Sequence, residues 1–199
     1  MVADEAWIRV DEAEDVAASV RHVLHSLALT TKDQQAWKWV LLALHSALQG
    51  ACVCHLTTTA SPVGALTEKN TVEWLVYFEA SRTDSNVSAP KTYLLNFPDL
   101  LKAIRKPKSA GDGSDLSAVQ ISDSELEWLK RFHSRIRNQF IRFEPTGWSI
   151  EVSGIPAMTK LAARIIKDIL DIGWAFRHKD KAWRDELQAN LVRLSSDGY

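Results

Sequence analysis

Residues 34–56 read QQAWKWVLLALHSALQGACVCHL, the most apolar segment of the chain. A helix that is apolar nearly all round is usually the buried centre of a helical protein. Ala43, Ser46, Ala47, Gly50 and Ala51 recur within it at three- and four-residue spacing. They give it a thin face where a neighbour can approach closely. Upstream, residues 11–29 place Val16, Val20, Val23, Leu24 and Leu27 on one stripe, with acidic residues crowding the start. That charge suits the positive end of a helix dipole. Residues 30–33 break the pattern, and Asp33 is a candidate N-cap for the central helix.

Downstream, a polar turn over 57–64 precedes a helical pattern over 67–80, and residues 81–90 read as a linker. A short helix is predicted around 97–105, then a second flexible-looking stretch over 106–121 that contains KPKSAGDGSD. Ser122 and Glu125 match a capping box that opens a helix to about Ile141. Pro145-Thr146-Gly147 forces a turn. Pro156 then opens a helix through 157–175 with Leu161, Ile165, Ile169 and Ile172 on one face, and a last helix covers 181–194. Strand signals are weak throughout. The expectation is an all-α, up-and-down antiparallel bundle of about five main helices, forming one domain over 1–199.

Composition agrees. In 199 residues, 46% apolar and 25% charged are ordinary for a globular chain large enough to bury a core without disulfides or metals. A formal net charge of −1 says little about partners, because local patches matter more. Cys52 and Cys54 form C-x-C inside the apolar helix, where they face nearly opposite sides, and no ligand pair lies near them. Packed, reduced thiols are expected, with no metal and no cofactor. No basic-then-apolar leader and no uncharged apolar run of bilayer length stands out, so a cytoplasmic chain without membrane association is expected. Phosphate-binding glycine loops, H-E-x-x-H and G-x-S-x-G are all missing.

The segment 128–151, WLKRFHSRIRNQFIRFEPTGWSIE, carries the functional reading. Leu126, Leu129, Phe132, Ile136 and Phe140 form an apolar stripe, and the remaining positions are strongly basic. Arg131, Arg135, Arg137 and Arg142 offer planar fork donors suited to phosphate oxygens, while a solvated face paired with the acidic first helix would look the same. Trp148 follows the Pro-Gly turn, where it could stack on a base or plug the end of the bundle.

Arg137-Asn138, followed by Arg142 and an aromatic in the order R-N-Q-F-I-R-F, resembles the R-N-x-x-x-H-like signature of the HEPN superfamily. Phe143 to Ser149 is similar to the continuation of that motif in small bacterial HEPN-like proteins. The resemblance covers about 25 residues plus the helical layout, and it implies a bundle that dimerises around a metal-independent RNA-cleaving site. It puts Arg137 at the motif arginine, Asn138 at the polar position and Arg142 where the histidine should stand. Arginine cannot serve as a general base, although it can bind phosphate. His133, one turn before Arg137, is the auxiliary candidate for that role. The resemblance therefore implies a catalytically degenerate module that binds RNA, or a protein partner such as an antitoxin, as a homodimer through residues 131–148. A metal-independent endoribonuclease that recruits His133, and an oligomerisation bundle with no nucleic-acid role, are the alternatives.

The other histidines call for little. His45, between Leu44 and Ser46, reads as a satisfied core or interface residue. His22 and His25 have ligand-compatible spacing without a third ligand, His55 ends the apolar helix where the dipole favours imidazolium, and His178 reads as exposed. Trp37, Trp39, Trp74, Trp128 and Trp174 are expected in the core. Lys102, Arg105, Lys106 and Lys108 form a second basic patch.

Overall fold

A computed structural model describes residues 7–8, 10–59, 63–115, 118–142 and 147–196, with Arg142 described for its backbone only. The turn at Pro145 and the residues 143–146 that extend the motif lie outside these. The protein is an all-helical bundle. The helices are α1 (Glu12–Leu29), α2 (Ala36–Leu56), α3 (Glu68–Ser81), α4 (Phe97–Ile104), α5 (Asp123–Arg131), α6 (Asn138–Arg142), α7 (Ile155–Ile172) and α8 (Lys181–Ser195). A six-residue π-helical turn, Phe132–Arg137, joins α5 to α6, so these two form one interrupted helix. Among the described residues the only β contact is an isolated bridge between Leu66 and Leu94.

Helix α2 is the axis. It packs on α1 along most of its length and also contacts α4, α7 and the π turn. The thin face works as expected: a Cβ at Gly50 would stand 2.8 Å from Val16 Cγ2, so the small residue sets how closely α1 approaches. Leu41, Leu44, Ala47, Leu48, Ala51 and Cys52 are buried along α2, facing Val20 and Val23 of α1 and Ile165, Ile166 and Ile169 of α7 in one core. By length and composition α2 is apolar enough to cross a bilayer, yet 67% of its most apolar stretch is buried inside the bundle. Both cysteines are buried free thiols, and burial pushes both upward in pKa, Cys54 to about 12.

Helix ends follow local chemistry. Asp11 accepts the Glu14 N–H at 2.8 Å at the start of α1. The capping box of α5 is complete, with Glu125 N–H on Ser122 Oγ at 3.2 Å and Ser122 N–H on Glu125 Oε2 at 2.8 Å. α7 starts at Ile155 with Pro156 in its first turn and stops at Gly173, whose φ of 85° is open to glycine and strained for other residues. Asp33 does not cap α2. It accepts the Gln35 N–H at 2.8 Å, closing the turn before the helix, and Gln35 takes the cap position.

Two segments differ from expectation. Residues 106–115 are tied down: buried Asp115 accepts N–H bonds from Ser109 at 3.2 Å and Ala110 at 2.9 Å, and Gly111 N–H reaches His55 O at 2.9 Å. His55 is fully buried and its Nε2 meets Ser109 Oγ at 2.9 Å. Desolvation lowers its pKa, so it is a neutral latch and not a dipole-stabilised cation. The second departure is α3, which buries only Asn70 and leaves Val72, Leu75 and Val76 more than half exposed. Trp74 accordingly sits in a local ring cluster with Tyr77 and Phe78 outside the core. Trp39 is also 51% exposed, on the side of α2 turned away from the bundle. Trp174 is held at the opposite end of the chain, donating to Thr57 O at 2.9 Å under the Arg177 guanidinium.

Candidate functional site

The basic helix read from the sequence is continuous over Asp123–Arg142 but changes its winding inside the motif. Through Phe132–Arg137 the turns widen, and Asn138 N–H bonds back to His133 O, five residues earlier. Such π turns are rare and re-aim side chains; they occur frequently at functional sites. Buried Phe132 and Leu129 anchor the turn to the core.

On one side of the turn, His133 Nδ1 lies 2.8 Å from His45 Nε2, so one imidazole donates to the other. His45 is 3% exposed on α2, and His133 is half-buried. Phe97, the first residue of α4, packs on both rings with centroids 4.4 Å from His45 and 5.4 Å from His133. Burial opposes a charged imidazole here, and the Arg137 guanidinium and the second ring oppose it further, so His45 is pushed down to about 3. Burial and Arg137 lower His133 as well. Both rings are therefore neutral at pH 7. Arg137 is steadied by its own neighbour, donating from Nη1 to Asn138 Oδ1 at 3.0 Å.

His45 and Arg137 open onto a cavity of about 680 Å³ between α1, α2 and α6. Its other wall carries Asp11, Glu12 and Asp15, the acidic start of α1. Among the described residues a polyanion entering there would meet three carboxylates, one of them already bridged by Lys179, for one guanidinium. A neutral imidazole pair can pass a proton, and Arg137 can hold a single anionic group, but the cavity's field disfavours a phosphate chain.

The opposite side of the helix is different. Arg135 borders a cavity of about 520 Å³ together with Trp128, Gln139, Trp148 and one carboxylate, Glu151. Trp148 packs edge-on against Phe140 with ring centroids 4.7 Å apart. This cavity adjoins another of about 650 Å³ that shares Gln139, Trp148, Ser149 and Ile150 with it. Arg131 and Arg135 are exposed, and no described carboxylate lies within ion-pair distance of Arg131, Arg135 or Arg137. Several cations elsewhere are matched: Lys102 binds Asp99 at 2.8 Å, Arg105 binds Asp123 at 2.7 Å, and Lys179 bridges Asp11 and Glu14.

The candidate residues thus divide between two faces. His133, Arg137 and Asn138 gather with His45 on the acidic side, whereas Arg135 and Trp148 meet on the other. Arg135 and Arg137 do not share a cavity, so no single cradle holds them both. Sequence reasoning missed His45 as a partner for His133. The usable signal was the rule that a buried imidazole needs a hydrogen-bond partner, which leaves the partner's identity open. His22 and His25, with ring centroids 6.2 Å apart on the exposed side of α1, find no third ligand among the described residues. Compared with known proteins, the chain matches no family model, no curated protein and no solved structure.

Proposed function

We propose that the chain is a HEPN-like helical module that binds single-stranded RNA along the Arg131–Arg135–Trp148 face of its long helix. The supporting observation is an exposed arginine, Arg135, that shares a cavity with the half-buried indole of Trp148 and has no described carboxylate within ion-pair distance, with a second such arginine, Arg131, four residues before it on the same helix. Guanidinium groups hold phosphates through charge-assisted bonds, and aromatic faces hold bases of any sequence. Homodimerisation through this region, a protein partner such as an antitoxin, and a cytoplasmic setting belong to the same proposal. Binding of a labelled 12-nucleotide RNA should weaken steeply with salt. Arg131→Ala with Arg135→Ala should weaken it at least tenfold and flatten the log–log salt slope by about 1.4, from roughly 0.7 per single-strand phosphate contact. An unchanged slope in the double variant would refute this face as the RNA surface.

A second reading, metal-independent RNA cleavage, is favoured by one observation: the 2.8 Å His45–His133 pair beside Arg137. A neutral His133 backed by His45 could take the 2′-hydroxyl proton while Arg137 held the phosphate. The acidic wall of that cavity weighs against it. Cleavage in EDTA that disappears in His133→Ala, with RNA binding retained, would establish it. The absence of cleavage in the wild type would leave the module a binder.

A further inference from the structure

The pair of adjoining cavities on the Trp148 face has a more particular chemistry than a nonspecific RNA track needs. The larger, about 650 Å³, is of the size that encloses one nucleotide. Its walls come from three separate places: Gln34 and Trp37 at the entry to α2, Gln139 and Phe140 on α6, and Trp148 beyond the turn. No aspartate or glutamate among the described residues lines it, in contrast to the Arg137 cavity on the other side of the helix. Among the described residues neither Gln34 nor Gln139 spends its carboxamide on a hydrogen bond within the protein, so both amides remain available to a guest. Aromatic faces accept any base, but a carboxamide, which donates and accepts side by side, matches the N6/N7 edge of adenine. Arg135 lines the adjoining cavity together with one carboxylate, Glu151, and its guanidinium is the donor there for an attached phosphate.

We infer that this cavity is an adenine-nucleotide pocket, in which the base packs among Trp37, Phe140 and Trp148, the Gln34 and Gln139 amides read its edge, and Arg135 takes the phosphate. The inference builds on the RNA-binding reading, because it assigns that face one base-selective position.

The test is calorimetric titration of the full chain with AMP, UMP and ribose 5-phosphate, alongside oligo(A) and oligo(U) 12-mers. AMP is expected to bind at least fivefold more tightly than UMP, with ribose 5-phosphate weakest. Trp148→Ala should lower AMP affinity at least tenfold. Gln139→Leu, a change on a half-buried position that leaves the aromatic walls standing, should erase the AMP-over-UMP preference even if Trp148→Ala fails to fold. AMP binding no better than ribose 5-phosphate, or an AMP preference untouched by Gln139→Leu, would overturn the pocket. Oligonucleotide binding without AMP binding overturns the pocket and leaves the RNA reading standing. AMP binding that responds to these variants, without oligonucleotide binding, sustains the pocket and overturns the RNA reading.

Discussion

Between pH 6.5 and 4.5 the protein should lose about 2–3 kcal/mol of stability through His45 alone. His45 is buried, its Nε2 is engaged by His133, and the Arg137 guanidinium stands beside the pair, so its folded-state pKa falls from 6.5 to about 3. A group whose pKa is lower folded than unfolded takes up its proton more readily in the unfolded chain. Its contribution is therefore complete above pH 6.5 and disappears as pH falls towards 3. His133 and His55 are shifted in the same direction, chiefly by burial, and add to the slope. Denaturant melts at pH 7, 5.5 and 4.5 would measure the effect. His45→Leu, which keeps the volume apolar and removes the titrating ring, should flatten the dependence by roughly half. If the variant loses stability with pH as steeply as the wild type, the pair is not the acid-sensitive element.

The acid sensitivity and the functional readings meet at the same short piece of backbone. A regular α-helix through 132–137 would carry His133 and Arg137 along a different line. The π turn lets Phe132 stay buried while His133 reaches α2. Because the helix passes between two cavities, one wall of it is acidic and the other aromatic and amide-lined. The wall that carries the family-like arginine is thus the less favourable one for a polyanion, and Arg135 and Trp148 carry the better case for RNA.

The helical layout was legible in the sequence because it rests on local signals. The stripe Val16, Val20, Val23, Leu27 marks the buried face of α1, Ser122 and Glu125 fix the start of α5, and the small residues around Gly50 mark the contact between α1 and α2. What stayed hidden depends on long-range neighbours. No periodicity distinguishes a π turn from the α-helix around it. The His45–His133 contact joins positions 88 residues apart, and an isolated histidine in an apolar helix does not name its partner. Trp39 and Trp74 were expected inside because large aromatics dominate burial, but α3 has little to pack on and Trp39 faces outward. Residues 106–115 had the glycines and charges of a linker. Their order comes from Asp115, whose buried carboxylate collects two backbone N–H groups that composition cannot foresee.

That clamp makes Gly111→Ala a strongly damaging substitution. Gly111 N–H bonds His55 O at the end of α2, which draws the loop against the helix terminus. A Cβ there would lie 2.0 Å from Thr57 O and 2.6 Å from Trp174 Nε1. Thr57 O is the acceptor for that same indole N–H, so the clash falls on the contact tying the end of α2 to the segment after α7. Backbone on one side and a held ring on the other leave little room to yield. Overpacking of this kind costs about 3 kcal/mol, or roughly 6–12 °C in Tm for a chain of this size. Gly113 is the control two residues on. A Cβ there meets nothing within 4 Å, and only its φ of 65° opposes alanine, at a cost of about 1 kcal/mol. Urea melts of the two variants should differ by about 2 kcal/mol. Equal losses would mean that the loop moves aside freely and that His55, Ser109 and Asp115 do not hold it to the bundle.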